Sequence, residues 1–376
     1  MGRKRFAALS AWLVGAALAL GAGNVSAAWT LNVTPGETPI SHTVYSLHMM
    51  TLWTVTVIGI VVFGLIFWSV VHHRKSKGAE AAHFHHSTLV EIIWTAIPTI
   101  ILISLAIPAT KALVNMEDTS GAKLTIKITG YQWKWNYDYI NDGVSFYSSL
   151  APASRAVIYG DPGSQKNYLL EVDNPLVVPV GEKIRFLVTA GDVIHSWWVP
   201  ALGMKKDAIP GFVNEMWAKI EQPGTYRGQC AELCGKDHGF MPIVVEAKSP
   251  ADYKRWLDAQ KAAQGVKVAS VSKHWSDEEL MARGKEVYAT TCAGCHQADG
   301  KGLPGSFPAL AGSAIVTGPV DAHINRVMNG KPGTAMAAFA KQLDDVDIAA
   351  VISYERNSFG NTAGDYVQPA TIQAAR

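Results

Sequence analysis

The chain has 376 residues, a length that allows two or three domains. Its formal net charge is only +2, so its charge does not indicate a nucleic-acid-binding protein. Hydrophobic residues make up 48% of the chain and charged residues only 17%. That charged fraction is low for a soluble protein and indicates membrane segments.

The N-terminus has the pattern of a secretory signal peptide. The basic start GRKRF is followed by the apolar run AALSAWLVGAALALGAG, and the small residues Val25 and Ala27 mark a cleavage site. We therefore predict a signal peptide at 1–27 and an outer N-terminal segment at 28–45. A retained anchor helix is the alternative, and the chain is exported in either case.

Two long apolar runs predict a transmembrane helix hairpin over residues 46–111. The first run, 49–71, contains no charged residue and spans ~35 Å at ~1.5 Å per residue, which is enough to cross a bilayer. The second run, 92–110, contains Pro98 and Pro108. Two prolines would damage a soluble helix, but membrane helices tolerate them because neighbouring helices restore the lost hydrogen bonds.

The loop between the two runs is basic and rich in histidine. Positively charged loops stay cytoplasmic, so the chain beyond residue 111 is expected on the outer side of the membrane. A solvated or headgroup-facing loop is favoured over a metal site for the histidines. The basic residues are Arg74, Lys75 and Lys77, and the histidines are His72, His73, His83, His85 and His86.

Residues 122–248 show short strands separated by turns, which predicts an all-β Greek-key sandwich of the cupredoxin type. Metal ligands are expected at the strand ends and loops of such a rigid sandwich. The aromatic stretch GYQWKWNYDY alternates like a strand, and its aromatic side chains suit either a sandwich core or a membrane-surface belt. The predicted strands are 123–130, 167–173, 175–191, 214–230 and 242–248.

The stretch CAELCGKDHGFM brings two thiols, an imidazole and a thioether into one loop. Cys230, Cys234, His238 and Met241 include soft ligands that select copper over hard cations, and two thiolates can bridge two copper ions. Each copper ion then needs one histidine, and the upstream stretch AGDVIHSWWVP supplies His195. Zinc is an alternative for a Cys2His2 set, although a thioether is of no use to zinc. Two short-range disulfides are the other alternative.

The stretch CAGCH is the attachment signature of c-type haem. Cys292 and Cys295 are expected to add to the two vinyl groups of the haem, and His296 is placed to reach the iron. A redox pair of the thioredoxin kind is the alternative. The flanks are helical and glycine-rich instead of βαβ, which favours the haem.

The second axial ligand of the haem iron is expected in a later loop. We favour Met336, which follows the Gly/Pro-rich turn NGKPG and precedes an apolar anchor, Phe339. A thioether ligand raises the potential of the iron and suits electron transfer. Methionine also fills cores, and Met328 and His323 are the alternatives.

With its helix, haem motif, methionine loop and closing helix LDDVDIAAVISYERN, the segment 275–360 resembles a small all-α class I cytochrome c domain. The preceding segment, 249–274, reads as a helix, SPADYKRWLDAQKAAQ, followed by the small residues GVKVASVSK. We expect a flexible tether there, which raises the local concentration of haem at the copper site. Residues 361–376 are expected to form a loose tail.

Two stretches, GDVIHSWWVPALGMKKDAIPG and GQCAELCGKDHGFMPIVV, resemble the binuclear copper A domain of cytochrome c oxidase subunit II. The helix hairpin, LVEIIWTAIPTIIL and ITGYQWKWNYDY are similar to the same family, so the resemblance covers nearly the whole mature chain. The appended haem domain resembles that of the fused subunit II of caa-type haem-copper oxidases. The resemblance implies a multidomain membrane protein made of a two-helix hairpin, a cupredoxin-like sandwich and a class I cytochrome c domain.

The resemblance also implies roles for individual residues. Glu232 matches the residue whose backbone carbonyl completes the copper site and whose carboxylate faces a magnesium ion shared with subunit I. Trp133 matches the tryptophan at which electrons enter near the copper. Glu91, which with Thr88 also fits a capping box, matches a glutamate near the mouth of a proton channel in subunit I. The implied side-chain copper ligands are His195, Cys230, Cys234, His238 and Met241.

The function that these features imply is electron input to a cytochrome c oxidase. Electrons from a c-type cytochrome pass through haem c and the copper pair to a catalytic subunit, which reduces oxygen to water with proton pumping. Expected partners are subunit I, other oxidase subunits, the cytochrome donor and membrane lipid, with no nucleic acid. The expected location is the bacterial inner membrane, with two passes and both redox domains on the periplasmic side.

Three other functions are compatible with parts of the sequence. A quinol oxidase subunit of the same fold would lack the copper ligands, all of which are present here. A copper-containing nitric oxide reductase could use a similar input subunit. A membrane-anchored electron-transfer protein or metal chaperone would need no catalytic partner, but it would also need only one anchor helix.

Overall fold

The computed structural model describes residues 32–80, 85–158, 160, 161, 163 and 165–376, with the side chains of 265–269 excepted. The predicted signal peptide at 1–27 and His83 of the histidine-rich loop lie outside the described residues. From Gly36 to Arg376 the chain forms one unit of mutual contacts.

Two long apolar helices follow the N-terminal segment. Helix α1 spans Pro39–His72 and helix α2 spans Thr88–Glu117, and at ~1.5 Å per residue both exceed the ~30 Å hydrocarbon core of a bilayer. Their apolar side chains are exposed instead of packed into a protein core. Pro98 and Pro108 lie inside α2 without ending it, as expected for a helix in a membrane.

The start of α2 differs from the predicted capping box. The N-cap residue is Ser87, so Thr88 is already the first helical residue and no side chain caps the helix. The predicted Thr88–Glu91 capping box is therefore wrong, because a box requires its serine or threonine at the N-cap. Glu91 still lies in the first turn, where a carboxylate interacts favourably with the helix dipole.

The segment after α2 folds into a sandwich of two five-stranded sheets. One sheet has the strand order β3-β2-β1-β5-β8 and the other has the order β4-β10-β9-β6-β7. This arrangement confirms the predicted cupredoxin-like sandwich. The strands are β1 Leu124–Tyr131, β2 Lys134–Tyr139, β3 Val144–Ser148, β4 Leu176–Pro179, β5 Ile184–Ala190, β6 His195–Val199, β7 Met204–Ala208, β8 Asn214–Ala218, β9 Gly224–Cys230 and β10 Pro242–Lys248, and a short helix, α3 Pro152–Ala156, follows β3.

The space between the two sheets is filled by large aromatic side chains. Trp135, Tyr137 and Tyr139 alternate along β2 and are fully buried, and they meet Phe186 and Trp197 from strands β5 and β6. Burying one such side chain contributes about 1.5–3 kcal/mol. The aromatic stretch was compatible with a sandwich core or a membrane-surface belt, and these three side chains belong to the sandwich core.

The predicted strand at 167–173 does not form. Asn167 and Leu169 have positive φ angles of 55° and 61°, which belong to left-handed turns and cannot continue a strand. Only Val172 pairs, in an isolated bridge to Leu150. The apolar residues of this segment led to the strand prediction, but the backbone turns at both positions.

The predicted flexible tether is wrong, because most of the segment is helical. Helix α4 spans Pro250–Val271 and includes all but the last two of the residues GVKVASVSK on which the prediction of flexibility depended. Tyr253, Trp256 and Leu257 pack against the core of the sandwich, and Trp256 lies 5.3 Å from the ring of Tyr139. A helix docked along the sandwich therefore connects the two domains.

The C-terminal domain is all-helical and has its own apolar core, which confirms the predicted cytochrome c architecture. Helix α5 crosses α9 at Gly284, where a Cβ atom would collide with the backbone carbonyl of Ala350. The helices are α5 Asp277–Val287, α6 Ala293–His296, α7 Ala314–Thr317, α8 Val320–Asn329, α9 Asp345–Arg356 and α10 Pro369–Ala375, with a π-helical turn, Tyr288–Cys292, between α5 and α6.

The predicted loose tail is also wrong. Residues 369–375 form helix α10, in which Pro369 and Ile372 are buried. The side chain of Gln368 accepts a hydrogen bond from the backbone N–H of Trp275 and donates one to its carbonyl, each at 3.0 Å. The polar composition suggested disorder, but these tertiary contacts order the segment.

Candidate functional site

The predicted copper ligands lie where strands end and begin at one edge of the sandwich. Strand β9 ends at Cys230, β6 begins at His195, and β10 begins directly after Met241. The loop from 231 to 241 carries Cys234 and His238 between β9 and β10. The backbone N–H of Cys230 donates to the carbonyl of Met241 at 3.0 Å, which closes the base of this loop.

The donor atoms of these residues converge. The sulfurs of Cys230 and Cys234 are 3.8 Å apart, and neither cysteine forms a disulfide. His195 Nδ1 lies 4.0 Å from the sulfur of Cys230, and His238 Nδ1 lies 3.5 Å from the sulfur of Cys234. Each sulfur thus has one imidazole nitrogen beside it. The residues fit a soft metal centre with two thiolates and two imidazoles, and the free thiols argue against the disulfide alternative.

The two thiols of the pair do not share the same acidity. The hydrogen bond with Cys234 lowers the pKa of Cys230 to about 3, while the same contact and burial raise the pKa of Cys234 well above its usual range. Binding of a metal by both thiolates requires both sulfurs to be deprotonated.

Met241 and Glu232 complete the predicted ligand set. Met241 is 1% exposed and belongs to the same apolar core as the two cysteines. The backbone carbonyl of Glu232 accepts a hydrogen bond from the sulfur of Cys230 at 3.4 Å, so it points toward the sulfur pair. The carboxylate of Glu232 belongs to an exposed residue, free to meet a partner on the outside.

Asp192 orients His195, and sequence reasoning missed it. Its Oδ1 accepts a hydrogen bond from His195 Nε2 at 2.9 Å, which leaves Nδ1 toward the sulfurs, and its Oδ2 accepts one from the backbone N–H of Gln132 at 2.7 Å. Carboxylates that fix the ring of a metal-binding histidine in this way are common around metal sites. The signal was present, since Asp192 precedes His195 by three residues.

Trp133, the predicted electron-entry residue, contacts Cys234, one of the predicted copper ligands. Its indole N–H donates to the backbone carbonyl of Cys234 at 3.1 Å, and the side-chain amide of Gln132 donates to the same oxygen at 2.9 Å. Trp133 is half-buried and packs against the edge of the sandwich core. Trp135, two residues later, is fully buried in that core.

A cavity of about 610 Å³ lies between the sandwich and the C-terminal domain. Its size falls within the ~300–1,000 Å³ of typical cofactor sites. The CAGCH motif contributes Cys292, Cys295 and His296 to its wall, and Met336 lies on the wall as well. The sandwich contributes Trp133, so both predicted sites border the same part of the structure.

His296 is oriented for a role as a ligand. It is 8% exposed, and its Nδ1 donates a hydrogen bond to the carbonyl of Pro308 at 2.9 Å, which leaves Nε2 free to bind a metal. Burial raises the pKa of both Cys292 and Cys295. A redox pair of the thioredoxin kind needs a lowered thiol pKa, so the shifts oppose that alternative.

The three candidates for the second axial position occupy different places. Met336 is half-buried and lines the cavity. Met328 is 5% exposed and packs in the apolar core of the domain, outside the cavity wall. His323 lines the cavity, but its Nε2 pairs with the carboxylate of Glu355 at 2.9 Å, and its buried Nδ1 has no hydrogen-bond partner in the described structure.

The two domains contact each other around the cavity. Lys236, between two of the predicted copper ligands in sequence, donates from Nζ to the carbonyl of Gly294 in the CAGCH motif. The hydroxyl of Tyr147 donates to the carbonyl of Lys341 at 2.8 Å. The copper loop and the haem motif are therefore in direct contact.

Glu91 lies far along the chain from both centres, on the exposed face of α2. It borders a shallow groove on that helix with three threonines and three apolar residues. Among the histidines of the hairpin loop that the structure describes, none joins the cluster of potential metal ligands, which consists of His195, Cys230 and Cys234.

Comparison with known proteins gives consistent matches along the chain. The family model described as Cytochrome C oxidase subunit II, transmembrane domain, matches residues 26–112, and the model of the periplasmic domain of the same subunit matches 124–248. The model described as Cytochrome C oxidase, cbb3-type, subunit III, matches 279–354. The predicted cytochrome c domain thus matches a family model of a cytochrome c domain, in agreement with the expected fusion.

Similar proteins carry the corresponding names. The probable cytochrome c oxidase subunit 2 of Rickettsia prowazekii (strain Madrid E) is 42% identical over 231 residues, which are 61% of this chain and 72% of the relative. Cytochrome c oxidase subunit 2 of Cyanidium caldarium is 38% identical over 61% of this chain and 90% of the relative. The crystal structure of the periplasmic domain of cytochrome oxidase subunit II from Bradyrhizobium japonicum is 43% identical, covering 39% of this chain and 98% of that one, with a TM-score of 0.35.

The role of Asp192 can be tested by changing it to asparagine. Asp192→Asn places an N–H2 group against either the ring N–H of His195 or the backbone N–H of Gln132, so one donor loses its acceptor. We expect the affinity for copper to fall by about 10–100-fold, as for other partners of metal-binding histidines. Competition titration with a copper chelator measures this change. Asp138→Asn, on strand β2, is the matched control, and an unchanged affinity in Asp192→Asn would contradict the assignment.

Proposed function

The chain belongs to the family of cytochrome c oxidase subunit II, the electron-input subunit of haem-copper oxidases, and we propose that it receives electrons through a covalent haem c and a binuclear copper centre. One observation carries the proposal. Trp133 lines the cavity that holds the CAGCH motif, and its indole N–H bonds to the carbonyl of Cys234. The proposed copper and haem centres would therefore share Trp133 as part of their walls. In this proposal the reduction of oxygen takes place in a partner subunit.

Two copper ions would be held by the residues that converge at the sandwich edge. The sulfurs of Cys230 and Cys234, 3.8 Å apart, suit a pair of bridging thiolates, and each has its own histidine. Met241 and the carbonyl of Glu232 supply the weaker ligands. The presence of a buried thioether favours copper over zinc, which binds nitrogen, sulfur and carboxylate ligands.

The haem would be held by the CAGCH motif and the methionine loop. Cys292 and Cys295 would form the thioether links, and His296 and Met336 would supply the protein ligands of the iron. When bound, the haem and the copper pair supply one-electron redox chemistry. The chain itself fixes the ligands on strand ends and buried helices, which limits changes of geometry and excludes water.

The partners of this subunit follow from its exposed groups. Subunit I of the oxidase complex would cover the exposed carboxylate of Glu232. A magnesium ion shared by the two subunits is proposed at this carboxylate. Glu91, in the first turn of α2, would lie near the mouth of a proton channel of that partner. A c-type cytochrome would serve as the electron donor, and proton pumping would belong to the complex.

The proposed location is the bacterial inner membrane. This is a two-pass membrane protein, since helices α1 and α2 are long and apolar and match the transmembrane family model. The basic residues after α1 favour a cytoplasmic loop. The sandwich and the haem domain would then lie together in the periplasm.

The other functions receive less support. All three matching family models bear the name of cytochrome c oxidase, which favours that enzyme over a nitric oxide reductase. The match to both the transmembrane and the periplasmic domains of subunit II also favours a member of an oxidase complex over an isolated electron-transfer protein.

The metal and haem content of the purified chain tests the proposed function. Protein isolated from membranes should contain two copper ions and one covalently bound haem, with the electron paramagnetic resonance of a mixed-valence copper pair. Cys234→Ser should abolish that signal and keep the haem, whereas Cys292→Ala with Cys295→Ala should do the reverse. Zinc in place of copper, or a chain without covalent haem after full supply, would contradict the proposal.

The axial assignment predicts opposite effects for two methionines. Met336→Ala should lower the reduction potential of the haem, because a thioether ligand raises it. Met328→Ala should leave the potential unchanged and should reduce the free energy of unfolding by about 2–5 kcal/mol, as for other buried methionines. Redox titration and denaturant unfolding measure the two quantities. A lowered potential in Met328→Ala or His323→Ala, with Met336→Ala unchanged, would reverse the assignment.

A further inference from the structure

Lys134 is a buried cation at the boundary between the two domains. It is the first residue of strand β2 and follows Trp133 directly, yet it is only 8% exposed and lines the interdomain cavity. Its Nζ lies 4.6 Å from the ring centre of Tyr147 and 5.8 Å from that of Phe339, which belongs to the haem domain. The ammonium group thus points between the sandwich and the loop that carries Met336.

The ammonium group has no carboxylate partner among the residues that the structure describes. Apart from the thiol of Cys292, the acidic groups whose charge influences it are already engaged: Asp192 binds His195, Asp173 binds the backbone N–H of Ser149, and Asp347 pairs with Arg283. A buried charge without a counter-ion is costly, and burial lowers the pKa of Lys134 to about 8. Contacts with two aromatic rings compensate only part of that cost.

The cavity as a whole is electropositive. Five of its lining side chains are lysines or arginines, and two are carboxylates. Of these two, Glu355 is paired with His323, and Asp237 belongs to the copper loop itself, next to Lys236 in sequence. The cavity therefore suits a ligand that brings carboxylates with it.

Lys134 differs from the other cations of the cavity wall. Lys236 and Lys331 are exposed, and Arg155 and Arg326 are half-buried, so water can solvate each of them. Lys236 also donates to the carbonyl of Gly294. Among the five lysines and arginines that line the described cavity, Lys134 alone is buried, and a group inside the cavity is placed to compensate its charge.

We propose that Lys134 of the copper domain binds a propionate carboxylate of the haem that the C-terminal domain carries. The inference rests on the proposed function, because it requires haem in this cavity. A haem presents two propionates, and a charge-assisted hydrogen bond from the buried ammonium group of Lys134 neutralises one of them. The haem pocket is then completed by a residue of the neighbouring domain, which couples haem binding to domain docking.

Three variants of the full-length chain test this proposal. Lys134→Gln removes the charge, Lys134→Arg keeps it, and Lys127→Gln removes a lysine from the adjacent strand β1, outside the cavity wall. Haem content, circular dichroism and the visible spectrum of each variant establish that it is folded and loaded. The reduction potential of the haem and redox-induced infrared difference spectra of chains carrying haem labelled with ¹³C at the propionate carboxyls are then recorded.

The expected result is specific to the charge at position 134. Lys134→Gln should decrease the equilibrium constant for haem reduction by about tenfold, which is about 59 mV for a one-electron couple, because the uncompensated propionate favours the oxidised iron. It should also shift the labelled carboxylate bands. Lys134→Arg should stay close to the parent chain in both measurements, and Lys127→Gln should match it.

Different outcomes separate the two levels of the proposal. A fully loaded Lys134→Gln chain with unchanged potential and unchanged carboxylate bands would overturn the role of Lys134 and leave the proposed function intact. A lowered potential with unchanged carboxylate bands would also overturn it, since the charge would then act at a distance. A parent chain without covalent haem would overturn both.

Discussion

The hydrogen bond from the indole of Trp133 to the carbonyl of Cys234 is the contact on which the arrangement of both centres depends. The turn that carries Trp133 is held from two sides of the copper site: by Cys234 through this bond and by Asp192 through the backbone of Gln132. Asp192 in turn orients His195. Residues of the same turn also line the haem cavity. Gln132 and Trp133 therefore contact both the proposed copper site and the proposed haem site.

The two domains meet through a small number of polar contacts and a docked helix. A hydrogen bond such as that from Tyr147 to the carbonyl of Lys341 contributes only about 1 kcal/mol. Helix α4 adds an apolar contribution, because Trp256 packs beside Tyr139 on the sandwich. Docking thus combines these polar contacts with the covalent connection through α4, and the proposed bond from Lys134 to the haem would add to it.

Much of the fold could be predicted because its signals are local in the sequence. The long apolar runs, the alternation along β2 and the CAGCH motif each specify an element within a few residues. The convergence of Cys230, Cys234 and His238 follows from a single loop, and His195 was found because the ligand set lacked one imidazole. In the structure the two sulfurs lie within hydrogen-bond distance of each other, and each sulfur also lies within that distance of one histidine.

The failures have a common physical origin in tertiary contacts. The segment after residue 264 looks flexible from its small residues, and the tail looks loose, but α4 and α10 are ordered by the surfaces on which they dock. Lys134 falls on the face of β2 opposite Trp135, where strand alternation predicts solvent. The haem domain covers that face, and no pattern within β2 could reveal it.

The central claim is that the sandwich and the haem domain form one docked unit with a shared wall at Trp133. Pulsed electron paramagnetic resonance between the oxidised haem and the oxidised copper pair, recorded on the full-length chain in membranes, tests it most directly. The account predicts a single narrow distribution of distances between the two centres. A broad distribution, as expected for a haem domain moving on a flexible tether, would contradict it.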